Sequence, residues 1–310
     1  MLNLRNTFIV GAAKSGTTAL YYLLSQHPGI CTPVVKEPNY FSNIENSSDP
    51  VHPGNGPGDN GTVWTEDQES YHNLYRPGKD HTMKLDASVS YLYSTTAAAQ
   101  IANYDPESNI IIVLRNPIER AFSHYKHLLR DGRETVSFTE ALDLEESRIQ
   151  KGWEFSWHLT SMGLYSDQIQ RYLNHFEQEQ VRIYLLEDIK SDISRVVNEI
   201  TEFVGLEAYK YDFQQQEQNE SGVARSWLLS RMVNWILGYK EQINKVVPPR
   251  ISHKALQLFR TLNIRKSDLE IADDTRMRLL ALFDEDIRET GELIGRNLDA
   301  WRNELIHNDA

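Results

Sequence analysis

Residues 7–10 are a short run of β-favouring side chains that stops at Gly11, and residues 17–26 carry Leu20, Leu23 and Leu24 at helical spacing. Between them lies Gly11-Ala12-Ala13-Lys14-Ser15-Gly16-Thr17-Thr18. A strand that bends through glycines into a helix is a place to hold an anion. The glycines let backbone approach closely, and the helix start offers free N–H groups and a partial positive charge. Lys14, Ser15, Thr17 and Thr18 add donors. A strand–turn–helix with only a surface lysine is the plain alternative, and a short motif alone does not separate the two.

The rest of the chain keeps switching between the two periods. A second strand is expected over 82–86 and a helix near 94–103. Asn109–Leu114 (NIIIVL) is apolar on both faces, as a central parallel strand is. Pro117 then stands at an expected first helical position, and a helix is predicted over 118–129. Helices follow at 137–151 and 164–176, a strand at 181–186, and a helix at 194–204 closed by Gly205. Late helices are expected at 224–237 and 275–295. Strand alternating with helix implies a three-layer α/β/α fold with a central parallel β-sheet. Nothing in the composition divides the 310 residues, so residues 1–310 read as a single domain. Residues 43–80, rich in Asn, Gly, Pro, Asp and Ser, read as a loop insertion that could rim a site. Residues near 131–162 read as a flap carrying Trp153 and Trp157.

The formal net charge of −12 argues against a nucleic-acid partner, whose binding domains are usually basic. It argues more weakly against a heavily sulfated polyanion. One cysteine, Cys31, permits no internal disulfide and fits a reducing compartment. No stretch approaches the about 18 apolar residues of a membrane span. The initial apolar run is short and leads straight into the glycine turn, so it reads as a strand rather than a secretory signal. A cytoplasmic protein is the expectation.

The turn also departs from the nucleotide-hydrolase pattern. G-x-x-x-x-G-K-[ST] needs a lysine directly after its second glycine. Here Thr17 stands there, and Lys14 precedes Gly16 by two residues. Such enzymes also use an acid to hold magnesium, whereas NIIIVL runs into Arg115. A cation at that strand end suits an anion held without metal. Arginine's fork gives bidentate bonds to phosphate. Ser123 lies nearly two turns into the next helix, and both side chains can face the helix start. A helix serine by itself is equally a surface residue.

These segments resemble the sulfotransferase family that uses 3′-phosphoadenosine 5′-phosphosulfate (PAPS). AAKSGTTAL is similar to its 5′-phosphosulfate loop, and LRNPIERAFSHY at 114–125 to its 3′-phosphate segment. KEPNYF at 36–41 resembles the active-site segment of the carbohydrate branch, which includes heparan sulfate sulfotransferases. GLYSDQIQRYL, YLLEDI and LIGRNLDAW match further family stretches. The resemblance implies a P-loop-like strand–turn–helix and a role for each matching position. Lys14 would contact the bridging oxygen between sulfuryl group and 5′-phosphate. Ser15, Gly16, Thr17 and Thr18 would hold that phosphate. Arg115 and Ser123 would hold the 3′-phosphate, and Ser221, Gly222 and Arg225 lie in a later loop that closes over the nucleotide. Glu37 would be the general base, although from the residues alone it reads as a solvated carboxylate beside Pro38. PAPS would be co-substrate and the bisphosphate PAP the product, with no metal. The acceptor would be a glycan, a lipid, an acyl chain or a small metabolite, presenting a hydroxyl or less readily an amine. A homodimer is left open.

The chain departs from the branch pattern in places. Asn39 stands where the branch often has histidine, Ala87 where it has a lysine, and Val89 where a proline is expected. Lys84 is offset from the lysine position, and Asp86 is a candidate second carboxylate near the acceptor. His124 and His127, three apart on a helix, lack the further ligands of a metal site and read as packing or solvated residues. A small-molecule kinase would need the magnesium acid and the lysine after Gly16. A non-catalytic nucleotide-binding protein would bind PAP without turnover.

Overall fold

The computed structural model describes residues 4–42, 51, 56, 64–214, 222–224, 264–266 and 269–302. In chain order the elements are β1 (Arg5–Gly11), α1 (Thr17–Leu24), β2 (Ile30–Cys31), α2 (Gln68–Asn73), β3 (Met83–Asp86), α3 (Ser90–Tyr93) and α4 (Ala97–Tyr104). Then come β4 (Asn109–Leu114), α5 (Pro117–Arg130), α6 (Phe138–Gln150), α7 (Tyr165–Leu173), β5 (Val181–Leu185), α8 (Leu186–Ser191) and α9 (Ile193–Phe203). β6 (Gly222–Ala224), β7 (Ile264–Lys266), α10 (Asp273–Ile294) and α11 (Asp299–Arg302) complete the described residues.

Five strands form one all-parallel sheet in the order β2-β3-β1-β4-β5. Period-two alternation in its central strands builds two cores. Phe8, Val10, Ile110, Ile112 and Leu114 face one layer with α4, α5, α7 and α10, whereas Ile9, Leu85, Ile111 and Val113 face α1 and α9 on the other. Each fully buried aliphatic or aromatic side chain contributes roughly 1.5–3 kcal/mol of transfer free energy, so a strand apolar on both faces is held from both sides. This is the three-layer architecture expected from the sequence.

The topology decides where a ligand goes. β1 lies between β3 and β4, and the chain leaves its carboxyl end into α1 while β4 feeds α5. In open parallel sheets the crevice at the carboxyl ends of such strands is the binding position. Parallel pairing of β1 with β4, Gly11 opposite Ile112, therefore brings the turn after Gly11 and the residue after Leu114 to one edge.

Local chemistry fixes the helices around that edge. Asn116 caps α5, its side chain accepting from the N–H groups of Ile118 (3.0 Å) and Glu119 (3.4 Å), with Pro117 in the first turn. Asp286 of α10 accepts from the backbone N–H groups of Tyr165 (2.7 Å) and Ser166 (3.0 Å), capping α7 from across the layer. α10 ends where Gly295 takes φ 64°, the left-handed turn that glycine adopts without a Cβ penalty.

Some expectations change. Helix α1 stops at Leu24, two residues short of the expected end, and a two-residue strand, β2, was too short to carry a period. Helix α2, capped by Asp67 through the N–H of Ser70 at 2.8 Å, falls inside the stretch read as loop. Ala224, expected to begin a helix, is in β6, which pairs antiparallel with β7; residues 225–237 lie outside the described residues. Residues 131–162, read as a flap, are largely packed against the body of the protein. They hold α6, two buried ion pairs, Arg133–Glu154 and Arg148–Glu134, and Trp157, which is 0% exposed. Trp153 and Trp157 meet edge to face at 4.9 Å, so tertiary packing consumes the rings. Among the described residues no helix is long and apolar enough to cross a membrane.

Candidate functional site

The turn after β1 is held open as a cradle. The Ala12 N–H donates to the Val113 carbonyl at 2.7 Å, stitching the turn to β4. Gly16 sits at the start of α1 with φ 91°, and a Cβ there would lie 3.0 Å from Leu186 Cδ1. Ser15 is fully buried, and its hydroxyl has no hydrogen-bond partner among the described residues. A buried hydroxyl left unpaired is costly, and this one belongs to the turn that presents the N–H groups of α1. Thr17 is buried and Thr18 half-buried beside it.

Arg115 reaches this turn directly. Its Nη1 donates to the Lys14 carbonyl at 3.1 Å, and the Tyr165 hydroxyl donates to the Arg115 carbonyl at 2.9 Å. Ser123 is half-buried on α5. The helical period places it in one stripe with Glu119, Lys126, His127 and Arg130. The Lys14 ammonium is pulled down to about 8, by burial first and then by the charges of Arg130 and Arg115, against the opposing pull of Asp131 and Glu37. Lys14 thus sits partly desolvated among the charges of Arg130, Arg115, Asp131 and Glu37.

Glu37 follows β2. Among the described residues only Lys14, Glu37 and Asn39 combine a side chain with positive φ, at 68°, 57° and 51°. Left-handed backbone is unfavourable for such residues and gathers at functional sites. Around Glu37 it is imposed by a network. The Asn39 side-chain amide donates to the Glu37 carbonyl (2.8 Å), the Asn39 N–H donates to Ser88 Oγ (3.1 Å), and Ser90 Oγ donates to Asn39 Oδ1 (2.6 Å). The Glu37 carboxylate pairs with Lys36, whose ammonium lies over the Tyr21 ring at 5.8 Å.

Asp86 does not stand open beside this loop as a second acceptor-side carboxylate. It is 1% exposed and accepts from Ser88 (2.7 Å), Tyr91 (2.9 Å) and Tyr71 (3.0 Å). Burial raises its carboxyl to about 6 against those three donors. Ala87 is fully buried, and Lys84 lies over the Tyr75 ring at 5.4 Å. His124 is buried, its imidazole held well below the usual range by burial and then by Arg120, so it packs as a neutral ring. Gly222 lies in β6, which runs beside α5; Ser221 and Arg225 lie outside the described residues.

Lys14, Ser15, Gly16, Thr17 and Arg115 are therefore joined at one sheet edge, with Ser123 on the helix leaving it. Sequence reading missed Lys36 and the Arg130–Asp131 pair, whose guanidinium Nε donates to Asp131 Oδ1 at 3.0 Å. The helical period offered the signal for Arg130, two turns beyond Ser123.

Residues 4–232 match a family model described as the sulfotransferase domain. Over 203 residues, 66% of the chain, it is 26% identical to human heparan sulfate glucosamine 3-O-sulfotransferase 3B1, covering 46% of that protein. Over 217 residues, 68% of the chain, it is 22% identical to the bifunctional heparan sulfate N-deacetylase/N-sulfotransferase 1 of Caenorhabditis briggsae, covering 24% of it. The chain thus spans less than half the length of these curated relatives. A crystal structure of a sulfotransferase from Alicyclobacillus acidocaldarius superposes with a TM-score of 0.72 at 32% identity, covering 96% of this chain and 99% of that one.

Proposed function

The chain belongs to the sulfotransferase domain family, and from that premise we propose that it transfers the sulfuryl group of PAPS to an acceptor hydroxyl, less readily an amine. The observation that carries the reading is the meeting of Lys14, the unpaired Ser15 hydroxyl and Arg115 at the carboxyl edge of β1 and β4. A 5′-phosphate there would take the N–H groups of residues 15–18 and satisfy the Ser15 hydroxyl. Arg115 and Ser123 would take the 3′-phosphate, and Gly222, in β6 beside α5, would lie in the loop that closes over the nucleotide.

In the transfer, the acceptor oxygen forms a bond to sulfur as the bond from sulfur to the 5′-phosphate oxygen breaks. Glu37 takes the acceptor proton, and Lys14 stabilises the charge gathering on the departing phosphate. General-base help is typically worth ~10²–10⁴-fold. The rest comes from positioning and from fixed charge in a partly desolvated site. The residues ask nothing of a metal for these steps.

For the acceptor we favour a carbohydrate hydroxyl, on the KEPNYF segment and on relatives named as heparan sulfate sulfotransferases. A polysulfated chain fits less well, because the protein carries a formal charge of −12 and like charges slow encounter. A lipid, acyl chain or small metabolite with a free hydroxyl is the second reading, and buried Ala87 favours it by withholding a cation that an anionic sugar would meet. A single buried cysteine fits work in a reducing cytoplasm.

Thermal unfolding with PAP, with adenosine 5′-phosphate, and with ATP plus magnesium tests the nucleotide class. A ligand at 100 times its Kd adds about 2.7 kcal/mol. PAP is expected to stabilise most, and Arg115→Ala to remove that advantage. Equal stabilisation by ATP and magnesium would overturn the reading in favour of a kinase.

A further inference from the structure

Lys36 and Glu37 are neighbours in sequence, and in an extended segment neighbouring side chains point to opposite sides. Here they meet: the Lys36 ammonium pairs with Glu37 Oε1. The left-handed backbone of Glu37, φ 57°, is the departure from extended chain that lets both side chains turn to one side. The pair is seated rather than adrift in water. The ammonium lies over the Tyr21 ring, 5.8 Å from its centroid, and a cation over an aromatic face is attracted by it. The Lys36 and Glu37 side chains are 20% and 34% exposed. Tyr21 is buried on α1, four residues after Thr17. At about 1.5 Å per residue, the seat lies about 6 Å along the axis from the helix start at the cradle. Among the described residues Glu37 is the one ionic partner of Lys36, and Glu37 Oε2 takes no hydrogen bond. Asn39 holds the Glu37 carbonyl at 2.8 Å. The backbone of Glu37 and one carboxylate oxygen are thus both tied, and the other oxygen is left for a ligand.

We propose that Lys36 is a positioning residue for Glu37: its ammonium holds Oε1 against the Tyr21 face, so that Oε2 is the atom presented to the acceptor hydroxyl. This rests on the reading of Glu37 as the base of sulfuryl transfer. A base helps only when it lies within hydrogen-bond reach of the proton it takes, and a long glutamate side chain loses rotamer freedom to keep that aim. The ion pair and the ring supply the restraint. With Oε1 engaged, the acceptor proton moves to Oε2, and the ammonium stays beside the neutral acid without entering the transfer. The nucleotide is held elsewhere, at the turn and at Arg115, so Lys36 acts on turnover and not on affinity for PAPS.

The test is release of PAP from PAPS by the full chain, with water, methyl glucoside or octanol as the hydroxyl donor. With water, its oxygen bonds to sulfur, its proton goes to Glu37, and the products are PAP and sulfate. Wild type, Lys36→Met, Lys36→Arg, Glu37→Gln and the double variant Lys36→Met/Glu37→Gln are compared, with PAP titration to show that each binds nucleotide. Lys36→Met is expected to lower kcat by roughly tenfold to a hundredfold, part of what a well-aimed base supplies, with the KM for PAPS and the PAP affinity unchanged. Lys36→Arg, which keeps a cation for both the carboxylate and the ring, should recover most of kcat. In the double variant, Lys36→Met should cost nothing beyond Glu37→Gln, as residues acting as one unit do. If Lys36→Met keeps the wild-type kcat while Glu37→Gln loses it, or if its loss is equal in both backgrounds, Lys36 does not act through Glu37 and the inference is overturned, with the base reading intact. If Glu37→Gln keeps the wild-type kcat, or wild type releases no PAP with any donor, the reading beneath it falls and takes this inference with it.

Discussion

Lys14 carries its charge under pressure. Its ammonium is lowered to about 8 by burial and by the charges of Arg130 and Arg115, so in the free protein it gives up its proton in the alkaline range where an ordinary lysine stays charged. A phosphosulfate or phosphate seated at the turn favours the charged form and draws the value back up. Two consequences share one sign. At pH 8 to 9, binding of PAP takes up a fraction of a proton. As pH rises through about 8, affinity falls, because the empty site must first be protonated. Titration of wild type in buffers of different ionisation enthalpy reads the uptake, and Lys14→Met should abolish it. No proton uptake in wild type at pH 8.5 would place the ammonium elsewhere than beside the bound phosphate. The residues of this turn were legible because strand, glycines and helix start are contiguous. The setting of Glu37 was not, since its left-handed backbone depends on Ser88 and Ser90, some fifty residues away in sequence.

At the scale of elements, periodicity found what it can find. β4 and α5 appear almost as expected, because NIIIVL is long and apolar on both faces and Asn116-Pro117 marks a helix start. β2, with two residues, offers no period, and α3 and α2 are one turn or little more. Residues 131–162 show the other limit. Their paired tryptophans after a polar helix read as a flap, but several of their charges turn inward. Arg148 Nη1 reaches Glu134 Oε2 at 2.6 Å with both side chains buried, and Glu134 also accepts from the N–H groups of Thr135 and Val136. Which charges pair across a chain reversal is not written in a local window. Removing one partner of a buried pair typically costs about 3–5 kcal/mol. Glu134→Ala should therefore destabilise the protein by roughly that amount in urea unfolding, far more than loss of a solvent-screened exposed pair such as Arg195–Glu199. Equal, small losses for Glu134→Ala and Glu199→Ala would show that this segment is not packed as described.

The whole molecule is tied together at the end of β3. Asp86 is buried where the layer under α3 and α4 meets the loop that carries Glu37, and its partners come from β3's own exit, from α3 and from α2. Through Ser88 the same hydroxyl that donates to Asp86 accepts from the Asn39 N–H. The charge state of one core residue thus bears on the loop that carries Glu37. Burial raises the Asp86 carboxyl to about 6, above its value in an unfolded chain. The folded state then binds the proton more tightly, so between pH 4 and 6 it holds more protons than the unfolded state. Stability from this group is present below about pH 4 and is lost as pH rises through about 6. A shift of some two units corresponds to about 3 kcal/mol at most. Ionised carboxylates elsewhere that gain partners on folding pull the other way at lower pH, such as Asp188, which is lowered with Arg296 as its first favourable partner. The Asp86 contribution is isolated by comparing wild type with Asp86→Asn in urea unfolding at pH 4.5, 5.5 and 6.5. Asn cannot titrate, so relative to wild type the variant should gain stability steadily across that interval, whatever the offset from rearranged hydroxyls. A difference between the two proteins that stays constant with pH would mean that Asp86 is already ionised below pH 4.5, held by its three donors against the cost of burial. In that case the loop of Glu37 rests on a permanent charge rather than on a proton shared with the solvent.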